Sequence, residues 1–458
     1  LNLALFIFVQ IHNKVPLLVT KRFKSLLFMS ASSASLDSDQ RRVQRSNLWK
    51  ALGPGILMAC AAVGGSHLVW STQAGARFGW SLLGLILLAN LLKYPFFLYG
   101  QRYTAATGES LLAGYHRKGV GYVYTFLGIN ILTGAINIAG VAMLSGALFA
   151  GYGITSISIA WISIILMAIC ALLLLLGHYK LLDGLAKIII LFLAFGTVLA
   201  VVLAVGSRPE VAADFVAPSP WEWVSFAFLV SLLGWMPAPI DLSAWSSLWM
   251  FSREKQTGHF ATTGETAIDF YLGYISAVVL AVLFVALGAL VMFGTGESFS
   301  ASGIAFSHQL VNLYAATIGD WSRPLILTAA FVTMFSTTLT CVDGYPRSLA
   351  ACCALIAHLS PKRFHQVHQV WMVLSVIAAS FIVLFFVQNL IQMLTFAAVV
   401  SFLTSPILAY INFQVMKGPN VPEKDRPGII LTVLSWSGLA FFLLMTIGYL
   451  YVTFFRVG

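Results

Sequence analysis

Ionised side chains are scarce in this chain, with 26 lysines and arginines and 16 aspartates and glutamates among 458 residues. A water-soluble domain carries roughly a quarter of its residues charged, so a soluble fold of this length is excluded. Cysteine is scarce too. Cys60, Cys170, Cys341, Cys352 and Cys353 fall in or beside apolar runs, and their odd number and spacing match neither a disulfide framework nor a cysteine metal site. No glycine-rich nucleotide loop, cofactor motif or nucleophile–base set is present, which argues against an enzyme or an ATP-driven pump. The short alternating segments of a membrane β-barrel are missing as well.

What fills the chain instead is apolar: 59% of its residues are hydrophobic. Runs of 18 or more mostly apolar residues recur along almost its whole length, the signal for spanning helices. They predict eleven spans, at about 52–77, 80–103, 122–150, 154–177, 180–206, 221–250, 268–294, 322–345, 366–388, 390–413 and 428–455. The chain is therefore expected to be an all-α polytopic membrane protein, with the lipid bilayer as its partner. A shorter amphipathic stretch, Ser302–Ala316, is expected at the interface. Residues 1–48 read as a flexible cytoplasmic tail without a signal-peptide cleavage site. Met29 precedes the polar SASSASLDSDQ, so translation is expected to start near it.

Charge placement orients these spans. With the N-terminus inside, the inner loops hold Arg102, Arg117, Lys118, Lys180, Arg253, Lys255, Arg347, Lys362, Arg363, Lys417, Lys424 and Arg426, whereas the outer side keeps Arg77, Arg208, Arg323 and Arg456. That asymmetry predicts a cytoplasmic N-terminus and an outer C-terminus. The net charge of +10 is thus a topology signal and does not call for nucleic acid.

The sixth span is interrupted. Ser231–Leu248 carries Gly234, Pro237, Pro239 and Asp241 near its middle. Each proline lacks an N–H, so Pro237 frees the carbonyl of Leu233 and Pro239 that of Trp235. In hydrocarbon such a group costs several kcal/mol, roughly, unless protein or a wet cavity covers it. A packed kink explains one proline; two beside a glycine and a carboxylate point to a substrate or ion site. The first span is interrupted too, by Gly64, Gly65, Ser66 and His67. Matching interruptions in two halves are the pointer to inverted repeats with a site at mid-membrane. The reading is five helices over about 52–206, five over about 221–413, and an eleventh over about 428–455.

Short motifs carry a family resemblance. Gly53-Pro54-Gly55 opens span one, Gln73-Ala74-Gly75-Ala76 closes it, Thr107-Gly108-Glu109-Ser110-Leu111 follows span two, and Met236-Pro237 sits in the sixth-span break. Over about 49–455 the chain resembles the NRAMP divalent-metal transporters. That resemblance implies the LeuT-type inverted-repeat fold, a divalent cation as solute and proton coupling. Against the family pattern, Gly64 stands at the metal-binding aspartate, His67 at the asparagine and Ala238 at the sixth-span histidine, while Gly134 and Asn137 stand at the third-span acids. The resemblance leaves Met236 and the carbonyls of Ala61 and Leu233 as metal ligands, with His67 as an added one. Hard divalent ions favour carboxylate oxygens, so this donor set suits softer or borderline metals.

Other polar residues have two readings each. His67 could bind a metal, shuttle a proton, or hydrogen-bond the break. Asp241 could restore a charge to the site or cap the second half-helix. Lys187 is expected to snorkel, while Lys93 lies deeper. Asn130, Thr133 and Asn137 form a stripe that serves interhelical bonding or the solute path. Trp249 is expected at the interface, while Trp235 could pack against an organic solute. The expected substrate site is Ala61, Gly64, Gly65, Ser66, His67, Leu233, Trp235, Met236, Ala238 and Asp241, with His67, Asp241 and Asn137 as coupling residues. The leading expectation is a secondary-active transporter of a small cation; the alternatives are a small organic solute, such as an amine or amino acid, and a non-transporting receptor.

Overall fold

The computed structural model describes residues 48–154, 156–177, 179–206, 215–296, 299–300, 302–386 and 389–455, with the backbone alone for 179–190. The expected tail and start, and the Lys187 side chain, lie outside the described residues. The elements are α1 (Pro54–Ala62), a π-helical stretch Ser66–Ser71, α2 (Thr72–Phe78), α3 (Leu83–Thr107), α4 (Leu111–Lys118) and α5 (Val120–Ala150). They continue with α6 (Ile159–Leu175), α7 (Tyr179–Ala204), α8 (Phe226–Trp235), α9 (Leu242–Thr257) and α10 (Thr263–Val291). The chain ends with α11 (Gly303–Ile318), α12 (Arg323–Ala357), α13 (Pro361–Phe385), α14 (Leu390–Met416) and α15 (Ile429–Phe455). Among the described residues, seven helices are long and apolar enough to cross a membrane, and the first span joins them as a pair bent by 46°.

Both broken spans are clamped by continuous helices through bare backbone contacts. A Cβ on Gly55 would lie 2.1 Å from the Asp269 carbonyl oxygen, and one on Gly273 would lie 2.0 Å from that of Gly55. The same happens beyond the break, where a Cβ on Gly75 would lie 2.0 Å from the Val285 oxygen and one on Gly288 2.2 Å from that of Thr72. Helix α10 therefore holds both halves of span one, by the small-residue packing that membrane helices use in place of a hydrophobic driving force. The sixth span is held similarly, with Gly234 against the Ala398 carbonyl of α14 and Gly100 of α3 against the Ser243 carbonyl of α9. Helix α15 packs outside, on α3 and α14.

Polar groups fix the helix ends. Gly53 and Gly55 donate their N–H groups to the Asp269 carboxylate at 2.9 and 2.5 Å. An acidic cap from another helix thus satisfies two of the donors that α1 leaves open at its start. After α3, Gly108 adopts a left-handed φ of 71° and Ser110 accepts the Ala113 N–H at 3.1 Å, which starts α4. Glu109 accepts the Arg117 Nε–H at 2.6 Å.

Two expectations need correction. The eighth span, expected at about 322–345, lies in a longer helix: α12 continues to Ala357 with Pro346 inside it. Asp343 accepts Arg347 Nε–H at 2.9 Å one turn on, which braces the proline turn. Trp249 is not an interfacial anchor: it is buried and donates its indole N–H to Asp343 at 3.0 Å.

Candidate functional site

Span one stops where glycine begins. Helix α1 ends at Ala62, Gly64 N–H turns back to the Ala62 carbonyl at 2.9 Å, and the chain resumes helically at Ser66. The carbonyls exposed by the break are covered from α12, whose Thr337 hydroxyl lies 3.1 Å from the Cys60 oxygen and 3.4 Å from that of Val63. A Cβ on Gly64 would meet Thr337 Cγ2 at 3.0 Å, so the space beside Gly64 belongs to that threonine.

His67 turns away toward α10. Its Nε2 lies 2.8 Å from the Ala277 carbonyl oxygen and its Nδ1 2.6 Å from the Ser66 hydroxyl, which itself lies 2.7 Å from the Ala62 oxygen. A carbonyl only accepts, so Nε2 carries the proton, and the single Ser66 hydroxyl proton is shared between Nδ1 and the Ala62 oxygen.

In the sixth span, α8 ends at Trp235 and α9 starts at Leu242. The Leu233 carbonyl, which Pro237 cannot reach, is not open to a ligand. Lys93 of α3 points its Nζ into the break, 2.8 Å from the Leu233 oxygen, 2.9 Å from that of Gly234 and 3.0 Å from that of Ala238. The sequence marked Lys93 only as a deep lysine; its partners needed the third dimension. Asp241 is buried next to it, and the two are close enough to interact electrostatically. Asp241 stands at the N-cap position of α9, but its side chain makes no capping bond, which corrects the capping reading. Among the described residues its Oδ1 has no partner within hydrogen-bond geometry, although the Tyr345 hydroxyl is close enough to influence the carboxylate.

The two breaks share a small, partly open cavity. Of the expected site residues, Ala61, Gly65, Ser66, Asn137, Trp235 and Ala238 line it. Among the described residues Gly64, His67, Leu233, Met236 and Asp241 are not in its wall. The stripe on α5 does interhelical work: Asn137 Oδ1 accepts the Trp235 indole N–H at 2.9 Å and the Ser401 hydroxyl at 3.0 Å, and Ser348 donates to Asn130 at 3.3 Å. Thr337, Cys341 and Tyr345 also line the cavity, and nothing in the sequence singled them out. Tyr345 and Trp245 meet edge-to-face at 4.5 Å between ring centroids, and among the described residues the Trp245 indole N–H has no hydrogen-bond partner. Among the described residues no carboxylate is in this wall, and no three His, Cys, Asp or Glu side chains converge on a metal position.

Two broken helices, held by continuous neighbours around one cavity, are the arrangement implied by the motifs. The family described as Nramp, natural resistance-associated macrophage protein-like, matches residues 55–452. The chain belongs to the Nramp family. An uncharacterized protein of Pasteurella multocida is 42% identical to it over 372 residues, 80% of this chain and 85% of that one. The divalent metal cation transporter MntH of Lacticaseibacillus paracasei is 27% identical over 301 residues, 61% of this chain and 64% of that one. Among solved structures, the Eremococcus coleocola manganese transporter, in complex with an aromatic bis-isothiourea substituted compound, matches with a TM-score of 0.63 at 16% identity. The match covers 89% of this chain and 88% of that one. A mutant of the same transporter matches with a TM-score of 0.61 at 17% identity, over 87% and 85% of the two chains. The fold is thus the all-α, LeuT-type 5+5 inverted repeat with an eleventh spanning helix, in a multi-pass membrane protein.

Proposed function

We propose that this Nramp family member is a secondary-active transporter working by alternating access, with its solute held between the two broken spans. The paired breaks opening on one shared cavity carry this reading, because half-helix ends and freed carbonyls there supply partial charges without ionised groups. The MntH relatives and the manganese-transporter neighbours support a metal cation as the solute. In that reading the Ala61 carbonyl is the donor left in the cavity wall, with Met236 and Asp241 behind it and reached only if the break rearranges, since His67 and the Leu233 carbonyl are engaged. Proton coupling then falls to Asp241, whose Oδ1 is buried and, among the described residues, without a hydrogen-bond partner. The positive-inside pattern supports a cytoplasmic N-terminus and an outer C-terminus in a plasma or bacterial inner membrane.

The cavity wall favours a second reading, a small organic solute. Trp235, Trp245 and Tyr345 contribute three aromatic rings, and the free Trp245 indole N–H would pair with an acceptor on such a solute. Uptake into liposomes of manganese, zinc and an amine and amino-acid panel separates the two. Uptake of metals alone supports the first, uptake of organic solutes alone supports the second, and no uptake of either counts against transport.

A further inference from the structure

Lys93 is a cation in a place where the backbone offers ligands. It is fully buried, so its ammonium does not reach the membrane surface. Its three contacts, at 2.8, 2.9 and 3.0 Å, are all carbonyl oxygens. An ammonium has three N–H donors and no acceptor, whereas a neutral amine has only two donors, so three accepting partners specify the charged form. A buried charge is costly unless it is paired and hydrogen-bonded. Here Asp241 supplies the opposite charge nearby and the sixth-span break supplies the bonds.

Those same oxygens form an alkali-ion site in all but occupant. The three carbonyls are hard oxygen donors, and Asp241, farther from the ammonium than an ion-pair contact, leaves one negative charge in the surroundings to balance a cation of one positive charge. The carbonyls are available because Pro237 cannot bond Leu233, because Gly234 sits in the last turn of α8, and because Ala238 lies within the unwound segment. We infer that Lys93 is a tethered cation that takes the place of a free monovalent cation in the sixth-span break. The break is thereby closed by the chain itself, without a sodium or potassium ion. This goes beyond the transport reading and is tested without it.

The test is thermal stability of the full chain in detergent, in sodium chloride against choline chloride at equal ionic strength. The parent should melt at the same temperature in both. Lys93→Ala empties the cage and should melt several degrees lower in choline, with much of the loss regained in sodium. Lys93→Met fills the volume without charge; it should be destabilised and gain nothing from sodium. Recovery of folded Lys93→Ala only when it is purified in sodium is also the expected result. A parent stabilised by sodium as strongly as the variant overturns the inference. So does a Lys93→Ala protein indifferent to sodium, or one that fails to fold in either salt.

Discussion

Gly65 and Trp235 bring the two broken spans into contact. A Cβ on Gly65 would lie 2.5 Å from Cζ3 of the Trp235 indole, whose N–H is held by Asn137. Gly65 has an ordinary right-handed helical φ of −55° and ψ of −32°, so its requirement is for space and not for backbone freedom. Gly65→Ala should therefore destabilise the protein by about 1–3 kcal/mol through overpacking. The loss should shrink when Trp235→Leu is added, because the clash partner is gone. Melting of the single and double variants checks this; strictly additive losses would sink it.

The cap at the start of span one offers a cleaner stability test. Asp269→Ala removes the acceptor of the Gly53 and Gly55 N–H groups and should cost about 0.5–2 kcal/mol, the range for lost N-caps. Asp269→Asn keeps an acceptor oxygen and should lose less. An alanine variant as stable as the parent would show the cap to be dispensable.

Thr337→Val keeps the shape of the side chain but strips the hydroxyl from the Cys60 and Val63 carbonyls. Interhelical hydrogen bonds within membranes are worth about 0.6–1.7 kcal/mol, so a loss of that order is expected. Hydrogen exchange should also speed up at the end of α1. Unchanged stability and exchange would mean that the break is covered by other groups.

Metal binding separates Met236 from His67. Met236→Ala should weaken binding of soft or borderline metals more than binding of magnesium, since a thioether prefers softer ions. His67→Ala should lower stability and leave the order of metal preference intact, because both its nitrogens serve the fold. Calorimetry on the purified protein reads both. Equal losses for every metal in Met236→Ala would exclude it as a ligand.

Proton movement, if it accompanies transport, should depend on Asp241. Asp241→Asn keeps the size of the side chain and removes the group that takes the proton, so solute-driven acidification of liposomes should vanish while some solute binding persists. His67→Gln should acidify less than the parent only to the extent that the protein is destabilised. A pH-sensitive dye inside the vesicles reports the outcome. Acidification by Asp241→Asn at the parental rate would place the proton path elsewhere.

The membrane class, the spans and both breaks were legible in the chain because each rests on local rules. Apolar runs of spanning length, prolines without N–H groups and paired glycines act through their immediate neighbours. The end of the eighth span was not legible in this way: α12 runs past Pro346 to Ala357, and Asp343 joins Arg347 of its own helix to Trp249 of α9.

What the tertiary structure decided was where polar atoms find partners. Pro237 shows that the Leu233 carbonyl is free of its own helix, but only the packing of α3 against α9 brings Lys93, 140 residues away in sequence, to claim it. His67 likewise is a ligand, a proton carrier or a structural group until the Ala277 carbonyl, 210 residues on, accepts a hydrogen bond from its Nε2–H. Helix periodicity determines which residues share a face, whereas the chemistry of a buried donor depends on the atoms that neighbouring helices place within about 3 Å of it.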